Sequence, residues 1–261
     1  WRVLSRGVFI LLHLRKPVSW VFVSLCSITT YALSHNIGGS VISGAVIRYR
    51  AYATQGLTLQ QVGMLVAFCS FTFALSTVFL SAIVLLLIPD LLDRYAEFAH
   101  PHMSYAFAIG ALALIGAYVF GSWLKLPPLR IRSFELHYPS LPIVARQLTI
   151  GPLELIGAAS VIYFALPAAG NPGFLMVLGI FLVSFSAAQI SHAPGGLGVL
   201  ELVFLTGLPE MDPAAVLAAL LVFRAFYLII PLVLGLAGVL GFERTQFRRR
   251  FAREQVSTQD Q

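Results

Sequence analysis

Several stretches of about 20 residues run through this chain with almost no charge, and that feature limits its fold more than any other. A helix rising 1.5 Å per residue needs about 20 apolar residues to cross a hydrocarbon layer of about 30 Å. Inside that layer the backbone must satisfy its own hydrogen bonds, which leaves helices or a closed barrel. The runs here are far longer than barrel strands, so the expectation is an all-α, polytopic transmembrane helix bundle. Composition agrees. Of 261 residues, 58% are hydrophobic and 11% charged, where a soluble domain carries about a quarter charged. So few charges cannot cover a surface that faces water.

Six spans are expected, at 18–36, 62–88, 104–124, 148–167, 173–191 and 214–241. The first carries Ser24, Ser27, Thr29 and Thr30 and should face protein rather than lipid. The last contains Pro231, which predicts a kink or a break. The chain reads as one transmembrane domain over 1–261, with a basic tail at 242–261. The first residue is Trp1, which suggests a start within a longer protein. Cys26 and Cys69 lie in apolar helices and read as small core residues.

The formal net charge of +6 comes from residues at the ends of the spans. Arg2, Arg6, Arg15 and Lys16 precede the first. Arg244, Arg248, Arg249, Arg250 and Arg253 follow the last. This is the pattern of cytoplasmic flanks that meet anionic lipid, and it argues against nucleic acid as a partner. An even number of spans puts both termini on that side. The basic loop at 125–147 then falls outside, against its charge. Either one crossing is hidden in each half, or the loop breaks the statistical rule.

A short element recurs. The first span ends Ser34-His35-Asn36-Ile37-Gly38-Gly39 and the fifth ends Ser191-His192-Ala193-Pro194-Gly195-Gly196. Each is followed by an apolar piece too short to cross, 40–53 and 196–207, then a polar turn and a long span. The short pieces read as re-entrant half-helices, which a membrane tolerates where they are buried in protein or line a wet cavity. The two halves, 18–100 and 148–241, read as an internal repeat. Transporters are commonly built this way, with the site at the repeat interface. A hidden crossing in each half would make the copies inverted.

Ionisable groups at membrane depth are costly and therefore candidates for function. Arg48 and Arg50 lie in the first short helix with Tyr49 and Tyr52. A helix puts Arg48 on one face with Gly44 and Tyr52, and arginine forks match phosphate oxygens. Snorkelling to the interface is the alternative for both arginines. Glu201 can pair with Arg224 or with Arg48, and Tyr227 shares a helical face with Arg224. Glu154, in the fourth span, is a weaker candidate. His35 and His192 precede the glycine pairs, where a histidine either caps a helix or titrates near neutral pH. No helix presents metal ligands at i and i+4, so neither a metal nor another cofactor is expected. Gly195, Gly196 and Gly198 allow close backbone approach, and amides at the start of the next helix would attract an anion.

Three blocks carry a resemblance. YALSHNIGGSVISGAVIRYRAYATQGLT (31–58), ISHAPGGLGVLE (190–201) and LVFRAFYLIIPL (221–232) resemble, in order, the membrane domain of the lysylphosphatidylglycerol synthase family, the multiple peptide resistance factors. The resemblance implies a bacterial inner-membrane domain that moves aminoacylated or other phosphatidylglycerol-type lipid between leaflets. It implies a lipid-facing role for His35, Asn36, Arg48, Tyr49, Arg50 and Tyr52, for His192, Gly195, Gly196, Gly198 and Glu201, and for Arg224 and Tyr227. About 20 residues follow the last span, too few for the family's soluble aminoacyltransferase. Transport rather than synthesis is therefore the expectation, with a separate synthase and a second copy of the chain as expected partners. A scaffold for such a synthase and a lipid- or polyprenol-handling enzyme are the competing expectations.

Overall fold

A computed structural model describes residues 19–37, 40–95, 101–124, 129–131, 134–136 and 139–241. Gly38, Gly39, both basic flanks and Lys125 lie outside the described residues. The chain is built from eight α-helices among these residues. They are α1 (Trp20–Ile37), α2 (Ser40–Ala53), α3 (Leu59–Leu87), α4 (Pro101–Trp123), α5 (Leu141–Ala165), α6 (Phe174–Ser191), α7 (Val199–Gly207) and α8 (Pro213–Gly241). Five of them, α3, α4, α5, α6 and α8, are long and apolar enough to cross a membrane. The sixth expected span is α1, whose 18 residues reach about 27 Å but are more polar.

The chain is helical as expected, with one small addition in a loop. Within the loop expected at 125–147, Leu129–Ile131 and Phe134–Leu136 pair as a short antiparallel hairpin. Arg130 stands opposite Glu135 in its register. The same loop is shorter than expected, because α5 starts at Leu141 instead of 148. Ser140 precedes that start and Pro142 lies in the first turn, where a proline's missing N–H costs nothing. Similarly α3 begins at Leu59, because Thr58 and Gln61 exchange reciprocal hydrogen bonds of 3.3 and 3.0 Å at its N-terminus. At α8, Asp212 accepts from Ala215 N at 3.1 Å, and Pro213 opens the first turn.

Pro231 does not break α8. Its ring crowds the carbonyl four residues back and removes one donor. The helix responds with a wide π-turn over Ala225–Ile229, in which Ile230 N–H reaches back to Ala225 O.

The distribution of side chains is that of a protein in lipid. Large apolar groups such as Phe164, Leu114 and Ile190 point outward. Ser27, Thr30, Ser34, Ser76, Ser104, Gln147 and Ser184 are buried. Helices in lipid associate through small residues and buried polar contacts rather than through expulsion of water. Gln147 illustrates this. It donates to Thr72 Oγ1 at 2.7 Å and accepts from Tyr118 OH at 2.8 Å, tying α5 to α3 and α4. The main core gathers around α6, half of which is buried. A smaller core of Val23, Cys26, Tyr52, Leu57, Val62, Leu65 and Val66 joins α1, α2 and the start of α3.

Candidate functional site

The second glycine break positions the site. Helix α6 ends at Ser191, and His192 takes a left-handed conformation with φ 56° as its C-cap. Its Nδ1 lies 2.8 Å from Ile190 O. A single 3₁₀ turn, Pro194–Gly196, follows, with Gly195 and Gly196 at φ 60° and 65°. Gly198, at φ 79°, then leads into α7. Three glycines in the left-handed region within four residues let the chain reverse tightly, so that α7 packs back against α6.

Glu201 lies in the first turn of α7, and its two oxygens divide their work. Oε2 accepts from Gly198 N at 2.9 Å, while Oε1 accepts from Arg224 Nη2 at 2.6 Å. Of the two partners expected for Glu201, the structure selects Arg224. The anion attracted to the amino end of α7 is thus the protein's own carboxylate. Sequence pattern left this slot to an external phosphate. Arg224 is buried, with 10% of its side chain exposed against 25% for Glu201.

At its other end, α7 is held by residues that the sequence presented as loop charges. Pro89–Arg94 forms a 3₁₀ helix. Arg94 Nη1 donates to Gly207 O at 2.7 Å and to Glu210 Oε2 at 3.0 Å. A cation on the last carbonyls of a helix offsets the dipole there. Tyr95 OH donates to Val203 O at 3.2 Å, and burial pushes its hydroxyl well above the usual phenol value despite Arg94 beside it. Hydrogen bonding to Arg94 holds the Glu210 carboxyl below the usual carboxylate range.

The end of α1 meets the second break across a cleft of about 480 Å³, counting its open mouth. His35 lines it from α1, Phe185 and Gln189 from α6, and Phe223, Tyr227 and Leu228 from α8. His192, Gly195 and Gly196 line it from the break itself. Its wall is aromatic. The His35 ring tilts against Tyr31 at 4.4 Å and stacks over Phe185 at 6.4 Å. Tyr227 stacks on Phe223 at 4.8 Å and meets Tyr31 edge-on at 5.5 Å. Asn36 donates to Ala32 O at 2.7 Å and to Leu228 O, inside the π-turn of α8, at 3.4 Å.

The block around Arg48 is divided. Arg48 and Tyr52 are buried, and a Cβ built on Gly44 would sit 3.6 Å from Arg48 Nη1. Tyr52 packs edge-on to Phe22 at 5.6 Å. Tyr49 and Arg50 point outward. None of the four lines the cleft. Glu154 is half-buried in α5. Among the described residues, no three His, Cys, Asp or Glu side chains come together as a metal site.

Sequence reasoning found His35 and Tyr227 but missed Tyr31, Phe185, Phe223 and Arg94. The pairs Tyr31/His35, Phe181/Phe185 and Phe223/Tyr227 recur at i and i+4, a signal easily taken for lipid-facing filler. Gln189, a polar residue three before His192 in an apolar span, was a usable sign.

No family model matches the chain. It is 30% identical to the uncharacterized protein slr0712 of Synechocystis over 241 residues, covering 91% of this chain and 74% of that protein. It is 29% identical to the inner membrane protein YbhN of Escherichia coli over 218 residues, covering 82% and 67%. With the phosphatidylglycerol lysyltransferase of Bacillus subtilis it shares 36% identity over 87 residues, 32% of this chain and 10% of that protein.

Proposed function

The chain belongs to the same family as slr0712 and shares a segment with phosphatidylglycerol lysyltransferase, and from that premise we propose that it is a membrane protein of the lysylphosphatidylglycerol synthase family that carries phospholipid head groups across the bacterial inner membrane. The cargo is an aminoacylated or other phosphatidylglycerol-type lipid. A separate soluble enzyme supplies it, and the chain works alone or as a homo-oligomer. The head group enters the cleft, while the acyl tails stay against the exposed apolar helix faces. In this reading α1 is the sixth span, and α2 and α7 are re-entrant helices of two repeated copies, which six spans leave pointing the same way.

One observation carries the reading. Residues from both copies of the repeated break, His35 in one and His192, Gly195 and Gly196 in the other, line a single cleft. A repeat interface with interrupted helices is where membrane transporters hold their cargo. Aromatic faces and imidazoles give that cleft surfaces for a polar, charged group.

Reconstitution in liposomes with fluorescent phosphatidylglycerol in one leaflet tests it. The parent chain should expose the label to a membrane-impermeant quencher. Replacing His35 and Tyr227 together by leucine should slow that exposure on the order of tenfold, a barrier change of about 1.4 kcal/mol. Equal rates for parent, double variant and empty liposomes would sink the proposal.

A further inference from the structure

We propose that Arg224 and the amino end of α7 form a phosphate-binding site whose resident anion here is Glu201, and that the phosphate of a lipid head group enters by displacing this carboxylate. The proposal rests on the lipid-handling reading above and supplies the recognition chemistry that it lacks.

An arginine stays charged at any pH the cell reaches, so a buried one needs an anion beside it at all times. Arg224 is 8% exposed, and Nη2 has its partner in Glu201. Its Nε is buried and has no hydrogen-bond partner among the described residues. One donor of the fork is therefore idle. The cause is the way Glu201 is seated. Each carboxylate oxygen serves a different donor, Arg224 on one side and Gly198 N on the other. So seated, the carboxylate gives Nε no hydrogen bond. A phosphate diester presents its two free oxygens on a larger tetrahedral centre, and arginine forks take such groups side-on. One oxygen can accept from Nε and Nη2 while the other accepts from the first amides of α7, which lack partners within the helix.

Exposure indicates which partner moves. The guanidinium is held in protein, whereas the carboxylate is the more open of the two. Exchange of one anion for another keeps the buried arginine neutralised throughout, and Glu201 turns outward with its charge. The route is short. Leu200 and Phe223, the chain neighbours of Glu201 and Arg224, both line the cleft.

The test uses the full chain in uncharged maltoside micelles, titrated with short-chain phosphatidylglycerol and, separately, with inorganic phosphate. Glu201→Gln keeps the shape and an acceptor for Gly198 N–H but removes the competing charge. It should tighten phosphatidylglycerol binding on the order of tenfold, and Arg224→Gln should abolish it. A carboxylate that merely supports the fold gives the opposite result: unchanged or weaker binding in Glu201→Gln overturns the proposal. So does inorganic phosphate binding as tightly as the lipid, which marks a site for free anion. Should Glu201→Gln fail to fold, Glu201→Asp keeps the charge but is one methylene short of bridging both donors, and it should also tighten binding. The same preparations in liposomes separate the two ideas. Tighter binding in Glu201→Gln without translocation by the parent removes the transport reading and leaves the site. Translocation with an affinity indifferent to Glu201→Gln does the reverse.

Discussion

At the scale of single residues, the Glu201–Arg224 pair is what most distinguishes this chain from a plain apolar bundle. Removing one partner of a buried pair costs more than the pair contributes, because the other charge is left behind. Arg224→Gln should therefore lower stability by about 1–3 kcal/mol, measured as thermal or denaturant unfolding in micelles. Adding Glu201→Gln to it should restore part of that loss, since both partners are then neutral. Simple additivity of the two losses would show that the carboxylate is well solvated without arginine. The existence of such a pair was legible in the sequence, because either charge alone is too costly at membrane depth. Its identity was not. Arg48 and Arg224 were equally available to Glu201, and the choice follows from how α7 folds against α8. Arg94 was less legible still. Its partner, the carbonyl of Gly207, lies 113 residues further along and carries no side-chain signal.

At the scale of elements, the glycine break sets the direction of α7. Gly195 is held at φ 60°, and a Cβ there would come within 3.2 Å of Leu228 Cδ1. Gly195→Ala should destabilise by about 1–2 kcal/mol, the usual cost of the left-handed region for a side chain, and should speed amide exchange in α7. Unaltered exchange across α7 would mean that the turn is not what holds it. Element type and order could be read from hydrophobic run length, since little but a helix satisfies 20 apolar residues in lipid. Helix starts were read less well. Thr58 and Ser140 lie before the apolar runs begin, and each opens a first stretch whose polar residues look like loop. The hairpin at 129–136 was hidden for a related reason: two three-residue strands are too short for alternation to stand out.

For the molecule as a whole, α7 is gripped at both ends, and the two grips answer differently to conditions. The Glu201–Arg224 end is sheltered. The Arg94–Glu210 end is open, with 53% of the Glu210 side chain exposed. The Glu210 carboxyl is held below its ordinary value in the folded chain, so its contribution is complete above the ordinary carboxylate pKa. It is lost as pH falls through the lowered one. Acidification into that range, or raised salt, should loosen the carboxyl end of α7. Limited proteolysis around Leu208–Asp212 would read this, and Glu210→Gln should remove the pH dependence. A cleavage rate flat across that range would exclude a role for the pair. The π-turn at Ala225–Ile229 has a different consequence, one of register. A π-turn holds one residue more than an α-turn, and each residue of a helix is about 100° of rotation. Beyond it, Gly235 and Gly238 lie against Ala32 and Thr29 of α1. Were the turn to close into regular α-helix with all its residues kept, every later position would shift by about that angle. The small-residue stripe would swing away from α1, and the bulky residues beside it would take its place.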